Sequence, residues 1–363
     1  MAFHRRPDKN IAMQHSRRFR LPGTDPHFAS DNISGAHPEI MAAVMEANLD
    51  TPAYGGDQFT DDFHEMLDTQ FGTGAYGFPV FNGTGANIVS LQAVSHPYSS
   101  VICTDTSHVY TSEASAPVRA GISLKPQPHL DGKLRPEDIA KVVASDLGNP
   151  QATQPTAVTV SQVTEMGTVY TPEELTAICN AAHDAGLAIH MDGARLAPAA
   201  AALGLDLHGA TTALGVDILS LGATKNGGLG ADAVVVLSNR VPEDTLTPII
   251  KYTTQLSSKT SYLSAQLTTM FSTSLWHRNA TTANAAATRL AQGLGDIAGV
   301  EVQTPQANTV LAAMPDNLVT RLREHYVAHL WGHNTAGLPI VRLVCSWATT
   351  DAKITDLLKV LAA

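Results

Sequence analysis

The sequence predicts an α/β protein: a large doubly wound domain on a mostly parallel sheet, followed by a smaller C-terminal α+β domain. Three observations carry this. From about residue 76 to 238 short apolar runs alternate with longer helical patterns. The apolar runs are rich in Val and Ile and nearly continuous, as expected for strands covered on both faces. Beyond about residue 275 the texture changes to mixed strand and helix patterns. Strand–helix alternation at this period gives parallel strands joined by helical crossovers.

In order, the strand-like runs are "YGFPVF" (76–81), "SVICTD" (100–105), "GISLKP" (121–126), "TAVTVSQV" (156–163), "LAIHMD" (187–192), "VDILSLG" (216–222) and "DAVVVLS" (232–238). Helical stretches lie between them, among them "ANIVSLQAVS" and "TPEELTAICNAAHDAG". The latter opens with Thr171 as N-cap and Pro172 at the first position, has acids in its first turn, and closes on Gly186. A long helical pattern, "SLWHRNATTANAAATRLAQGLG", leads into the smaller domain. There "VEVQTPQANTVLAAMP", a polar helix around 316–329, "LPIVRLVCSWATT" and a final helix follow. The expected division is a flexible or subunit-wrapping basic arm over 1–28, the large domain over 29–275 and the small domain over 276–363. No internal repeat or low-complexity segment interrupts it.

Bulk properties narrow the function. Of 363 residues, 44% are hydrophobic and 15% charged, which fits a packed globular chain. The formal charge of −10 disfavours nucleic acid or an anionic membrane as partner. Only the first twenty residues, with "HRRPDK" and "HSRRFR", are basic. No apolar run reaches the roughly 20 residues of a membrane span. Cys103, Cys179 and Cys345 are scattered in apolar contexts without CxxC spacing. They read as reduced thiols of a cytoplasmic protein, not as metal ligands or nucleophiles.

Three segments carry candidate chemistry. In "FNGTGANIVSLQAV" a strand ends, Gly83-Thr84-Gly85 turns, and a helix begins. Small residues there let backbone N–H groups approach an anion, at the helix end with partial positive charge. An ordinary strand–helix turn has the same look. In "AIHMDGAR" a buried strand ends in Asp192, with Arg195 three residues on. His190 and Asp192 share a strand face by the period of two, and His190 reads as a packed strand residue. In "SLGATKNGGLG" Lys225 follows a strand end, among small residues. A poorly solvated lysine loses its proton more readily and becomes an imine-forming nucleophile. An anion cradle, a carboxylate and a lysine together meet the needs of pyridoxal phosphate: phosphate at Gly83-Thr84-Gly85, Asp192 against a protonated ring nitrogen, Lys225 as Schiff-base lysine. His108, in "TDTSHVYTSEASAP" after another strand, is suitably placed to stack on the ring.

With these residues in hand, the chain resembles the pyridoxal-phosphate-dependent threonine aldolases of the β-eliminating lyase superfamily, which have the fold-type-I, aspartate-aminotransferase-like architecture. It looks most like the low-specificity L-threonine and phenylserine aldolases. "SHVYTSE", "HMDGAR" and "GATKNG", in this order and spacing, carry the resemblance, with "NGTGAN" in support; it runs from "ASDNISGAHPE" to the C-terminus.

The resemblance implies that Lys225 binds the cofactor covalently, that Asp192 pairs with the pyridine nitrogen, and that His108 stacks on the ring and handles the substrate hydroxyl. It implies that Gly83, Thr84, Gly85 and Thr224 hold phosphate, and that Ser30, Arg195 and Arg342 bind the substrate carboxylate. It implies too that Arg195 lies against the cofactor. Tyr54 in "AYGGD" and Lys259 in "QLSSKTSYLSAQ" match segments that reach the neighbouring subunit, Lys259 toward phosphate.

One stretch departs from the family. Many members carry "ENTHNG" where this chain has "QVTEMGTVYTP", so their second active-site histidine is missing and Glu165 lies nearby instead. This leaves His108, Glu165 or a phosphate-bound water as the base for the β-hydroxyl. The implied activity is reversible cleavage of β-hydroxy-α-amino acids to glycine and an aldehyde, in a homodimer or homotetramer with active sites at the subunit interface. The alternatives are β-elimination, aldehyde exchange or transamination by the same cofactor.

Overall fold

The computed structural model describes residues 24–242 and 245–363. Up to residue 23 the expected basic arm therefore lies outside the described residues.

All seven apolar runs form strands of one sheet: β1 (Tyr76–Val80), β2 (Ser99–Thr104), β3 (Ser123–Gln127), β4 (Gln154–Ser161), β5 (Ala188–Gly193), β6 (Ile218–Gly222) and β7 (Asp232–Val236). Their order is β1-β7-β6-β5-β4-β2-β3. Neighbours from β6 through β5, β4 and β2 to β3 are parallel. β7 is antiparallel to both β6 and β1. Since β1 and β6 each oppose β7, β1 points the same way as the parallel set. The central strands β2, β5, β6 and β7 are buried at every position, which explains why their sequences do not alternate. Helices cover the sheet: Val80, Ile218 and Val234 pack with Ala86 and Val89 of the helix Gly83–Ala93.

The helix Pro172–Asp184 begins as its sequence requires. Thr171 and Glu174 form a reciprocal capping box, Pro172 opens the helix, and Gly186 follows with φ +75°.

A second sheet has the order β10-β11-β9-β8, with β8 (Glu301–Val302), β9 (Thr309–Ala313), β10 (His329–His333) and β11 (Pro339–Val344). The chain divides into two compact units. One runs over residues 35–165 and 169–277 and holds the large sheet; the other takes residues to 34, 166–168 and 278–363. Residues 29–34, expected with the large domain, thus cluster with the C-terminal residues. Asn308 Nδ2 donates to Asp31 Oδ2 at 3.0 Å and Arg342 to Ala29 O at 3.4 Å. Just before them Asp25 bridges to Tyr326, Val344 N donates to Phe28 O at 2.9 Å, and Phe28 is fully buried among Leu290, Val341 and Leu343. The helix expected around 316–329 spans only Asp316–His325. Tyr326 is extended, and the following residues become β10, pairing with β11.

Candidate active site

Chain direction brings the candidate residues to one edge. β5 ends in Asp192-Gly193, β6 ends at Gly222 before the turn bearing Lys225, β2 leads to His108, β4 to Glu165 and β1 to Gly83. All five strands run the same way, so these groups share the carboxyl edge, where open α/β sheets bind ligands. The reversed β7 contributes its first residue: Asp232 pairs with Gly222 and Val80 at that edge.

Asp192 is 7% exposed. Its Oδ1 accepts from Ala194 N at 3.0 Å and its Oδ2 from Asn87 Nδ2 at 2.9 Å. The same Asn87 Nδ2 donates to Glu113 Oε1 at 2.8 Å, and Glu113 Oε1 also meets His108 Nδ1 at 2.9 Å. A polar atom from each of His108, Glu113 and Asp192 lies within 4.8 Å of the others. Glu165 meets the backbone of the same histidine: its Oε1 accepts from the His108 N–H at 2.7 Å and from Ser161 Oγ at 2.8 Å.

Charge decides the protonation states. Burial alone would raise the Asp192 carboxyl, but the charges of His108 and Lys225, with the Asn87 and Ala194 hydrogen bonds, outweigh it and hold the group below the usual aspartate value. Burial would lower His108, yet its hydrogen bond to Glu113 and the negative Asp192 and Glu113 raise it, against Lys225. Burial pushes Glu165 up, with Asp192 adding to this and the Ser161 hydrogen bond opposing it. Burial also raises Asp232, opposed by the N–H groups of Thr224 and Ala223.

The segment expected to meet phosphate, Gly83-Thr84-Gly85, opens a helix. Asn82 caps the helix Gly83–Ala93 by accepting from Gly85 N at 2.8 Å. Gly85 is confined: a Cβ there would lie 2.3 Å from Gln255 Cδ, and Gln255 Oε1 accepts the N–H of Phe81 at 3.1 Å. Ala223 N and Thr224 N both donate to Asp232 Oδ1, at 2.9 and 3.0 Å. The Thr224 hydroxyl is also engaged, donating to Ala231 O at 3.5 Å and bonding the Asp232 carboxyl.

Lys225, Arg195 and Thr224 are partly buried. Tyr54 is 55% exposed, and Lys259 is exposed with its Nζ 5.9 Å from the Tyr262 ring centre. Tyr54 N donates to Ser258 O, which brings these two segments together outside the Asp192 network. Ser30 and Arg342 belong to the other unit. There Arg342 donates to Ala29 O at 3.4 Å and lies 4.4 Å over the Trp331 ring.

His190 is a packed strand residue, as expected: it is fully buried between Thr159 Oγ1 (2.8 Å) and Ser220 Oγ (2.9 Å). The three cysteines are buried and unpaired with one another, and burial pushes each thiol up to about 12. Sequence reasoning missed Asn87, Glu113 and Asp232. The first two stand inside "NGTGAN" and "SHVYTSE"; position in a motif was the only signal.

A carboxylate kept charged while buried can hold a proton on a ring nitrogen, which is what pyridoxal phosphate requires of its protein. With a lysine one strand over on a doubly wound sheet, that defines the class: pyridoxal-phosphate enzymes of fold type I. Residues 27–317 match the family model described as β-eliminating lyase, and the chain belongs to this family. It is 37% identical over 337 residues to the low specificity L-threonine aldolase of a Pseudomonas species, covering 91% of this chain and 95% of that one. The Leishmania major threonine aldolase structure superposes with a TM-score of 0.84 at 26% identity, covering 92% of this chain and 97% of that chain. An Oryza sativa TDC, solved with PLP and tryptamine, shares the fold alone, with a TM-score of 0.71 at 15% identity over 94% of this chain and 83% of that one.

Proposed function

We propose that this chain is a carbon–carbon lyase that reversibly cleaves β-hydroxy-α-amino acids of the L-threonine, L-allo-threonine and phenylserine type to glycine and an aldehyde. The observation that carries it is the hydrogen-bonded line His108–Glu113–Asn87–Asp192 beside the Lys225 turn, in a chain similar over most of its length to threonine aldolases.

Lys225 would hold the cofactor covalently, Asp192 its ring nitrogen, and His108 its ring face. Gly83, Thr84, Gly85 and Thr224 would hold its phosphate, with Lys259 as a further cation. Bound pyridoxal phosphate supplies an electron sink for the pair released as the Cα–Cβ bond breaks.

The protein's own part is orientation and proton transfer. Arg195 is proposed for the substrate carboxylate, since a planar guanidinium grips it in two places and fixes Cα. His108 Nε2 takes the β-hydroxyl proton; a base so placed contributes about 10²–10⁴ in rate. Glu165 is the second candidate base, although its Oε1 already accepts two hydrogen bonds. Because His108 is raised above 6.5, it gains basic form only as pH climbs through that raised value, so cleavage should rise with pH there.

The finer reading of partners is a homodimer or homotetramer in which Tyr54 and Lys259 reach a neighbouring copy. Exposed Met45, Leu49 and Tyr252 on the same unit support it. Buried thiols support a cytoplasmic setting, and no described helix is long and apolar enough to cross a membrane.

The test is to incubate the purified protein with L-threonine, L-allo-threonine and β-phenylserine and measure glycine and aldehyde. Pyruvate with ammonia, or a keto acid, would indicate elimination or transamination instead. Lys225→Ala should remove the activity; aldehyde release near the wild-type rate would overturn the assignment.

A further inference from the structure

We propose that Glu113 is a positioning residue of this site. Its hydrogen bond to His108 Nδ1 fixes the tautomer and tilt of the imidazole, and its bond to Asn87 ties that imidazole to Asp192. The proposal deepens the aldolase reading and rests on it for the role of His108.

Glu113 has no exposed side-chain surface, whereas the His108 side chain is 41% exposed. An ionised carboxylate out of water costs several kcal/mol unless donors surround it. The described donors to Glu113 Oε1 are His108 Nδ1 at 2.9 Å and Asn87 Nδ2 at 2.8 Å. Oε2 has no hydrogen-bond partner among the described residues. A carboxylate only accepts, so Nδ1 carries the proton and Nε2 is the lone-pair nitrogen of the neutral ring. Asn87 Nδ2 has two hydrogens, and its two described bonds, to Glu113 and Asp192, account for both.

The backbone around Glu113 is strained. It lies between the short helices His108–Thr111 and Ala116–Arg119, and the next residues, Ala114 and Ser115, have φ +48° and +62°. Each non-glycine residue in this left-handed region costs about 1–2 kcal/mol. A chain that bears this twice in succession to deliver one carboxylate is specifying its place.

The groups facing the imidazole come from every surrounding element: Glu113 beside its own helix, Asp192 on β5, and Lys225 after β6. Glu165, after β4, holds the backbone N–H. Burial and Lys225 disfavour the imidazolium; Glu113 and Asp192 favour it and prevail.

The experiment is a ¹⁵N-histidine NMR titration of the holoenzyme as wild type, Glu113→Gln and Glu113→Asp, with His108→Asn identifying the signal, alongside the pH profile of threonine cleavage. In the wild type, neutral His108 should show Nδ1 protonated and Nε2 bare. Glu113→Gln should lower the His108 pKa by about one unit, a tenfold change in proton affinity, because a charged acceptor is replaced by a neutral one. Glu113→Asp should recover part of it. The acid limb of kcat/KM should move down by the same interval, with KM changed less than about twofold, since no substrate contact is lost.

An Nε2-protonated tautomer in the wild type, or an unchanged titration in Glu113→Gln, overturns the proposal whatever the activity. The wild-type tautomer decides even if the variant does not fold. A wild type with the expected tautomer that releases no aldehyde supports the positioning role and refutes the aldolase reading alone.

Discussion

His190 and His108 are shifted in opposite directions for nameable reasons. His190 is enclosed by Thr159 and Ser220, and burial lowers it to about 4 despite the nearby Asp192. Unfolded, the same ring binds a proton near 6.5. Between those values the unfolded chain holds more protons, so stability is complete above about 6.5 and is lost as pH falls toward 4. The difference corresponds to about 3 kcal/mol. Replacing His190 by Gln should flatten the fall in melting temperature between pH 7 and 4, measured by calorimetry. A fall of unchanged steepness would assign the acid sensitivity elsewhere. His190 was legible because a histidine inside an apolar strand has few other destinies. Glu113 was not, because a glutamate in a polar stretch is ordinarily solvated, and only the turn at Ala114-Ser115 folds it inward.

At the scale of elements, the site depends on how closely β5 and β6 approach beyond their ends. A Cβ on Gly222 would sit 2.7 Å from Ala194 Cα, backbone against backbone. Neither side can rotate away, so Gly222→Ala must separate the Asp192 end from the Lys225 turn. The expected cost is about 1–3 kcal/mol of stability, as for other overpacked sites. Activity should fall by more than the folded fraction does; steady-state rates beside denaturant melts measure both, and equal losses would mean the approach matters only for folding. All seven strands of the large sheet were legible from their Val- and Ile-rich runs. Which strand runs backward was not, since an apolar run carries no sign of direction. The polar stretch after residue 316 misled in another way: its pattern continues past His325, but the pairing of His329 with Arg342 makes the next segment a strand.

For the whole molecule, the groups proposed to hold the cofactor, Gly83, His108, Asp192, Thr224 and Lys225, all fall within residues 35–277. A ligand stabilises whatever binds it, by about 2.7 kcal/mol at a hundredfold excess over its dissociation constant. Stripping pyridoxal phosphate should therefore lower the melting temperature of the unit 35–277 by several degrees (about 2–4 °C per kcal/mol at this size). Should the units melt separately, the other transition should stay where it is; a shift confined to that other transition would refute the placement. The texture of the sequence changes near residue 275, close to residue 278, where the chain passes from one unit to the other. The membership of residues 29–34 was not legible, because it is fixed by bonds of Ala29, Asp31 and Ser34 to Arg342, Asn308 and Ser346, some three hundred residues away, next to the pairing of Asp25 and Phe28 with Tyr326 and Val344.

That last pairing has a consequence for the order of events on the ribosome. Residues 24–34 emerge early, but Tyr326 and Val344, to which Asp25 and Phe28 attach, are made near the end. At about 5–20 residues per second, the roughly three hundred intervening residues occupy some 15–60 s. Through that interval the large sheet can form and its carboxyl edge can assemble, while Phe28 has no burial place. This early segment is thus among the last to settle. Its exposed apolar side chain meanwhile offers a holding chaperone a natural grip.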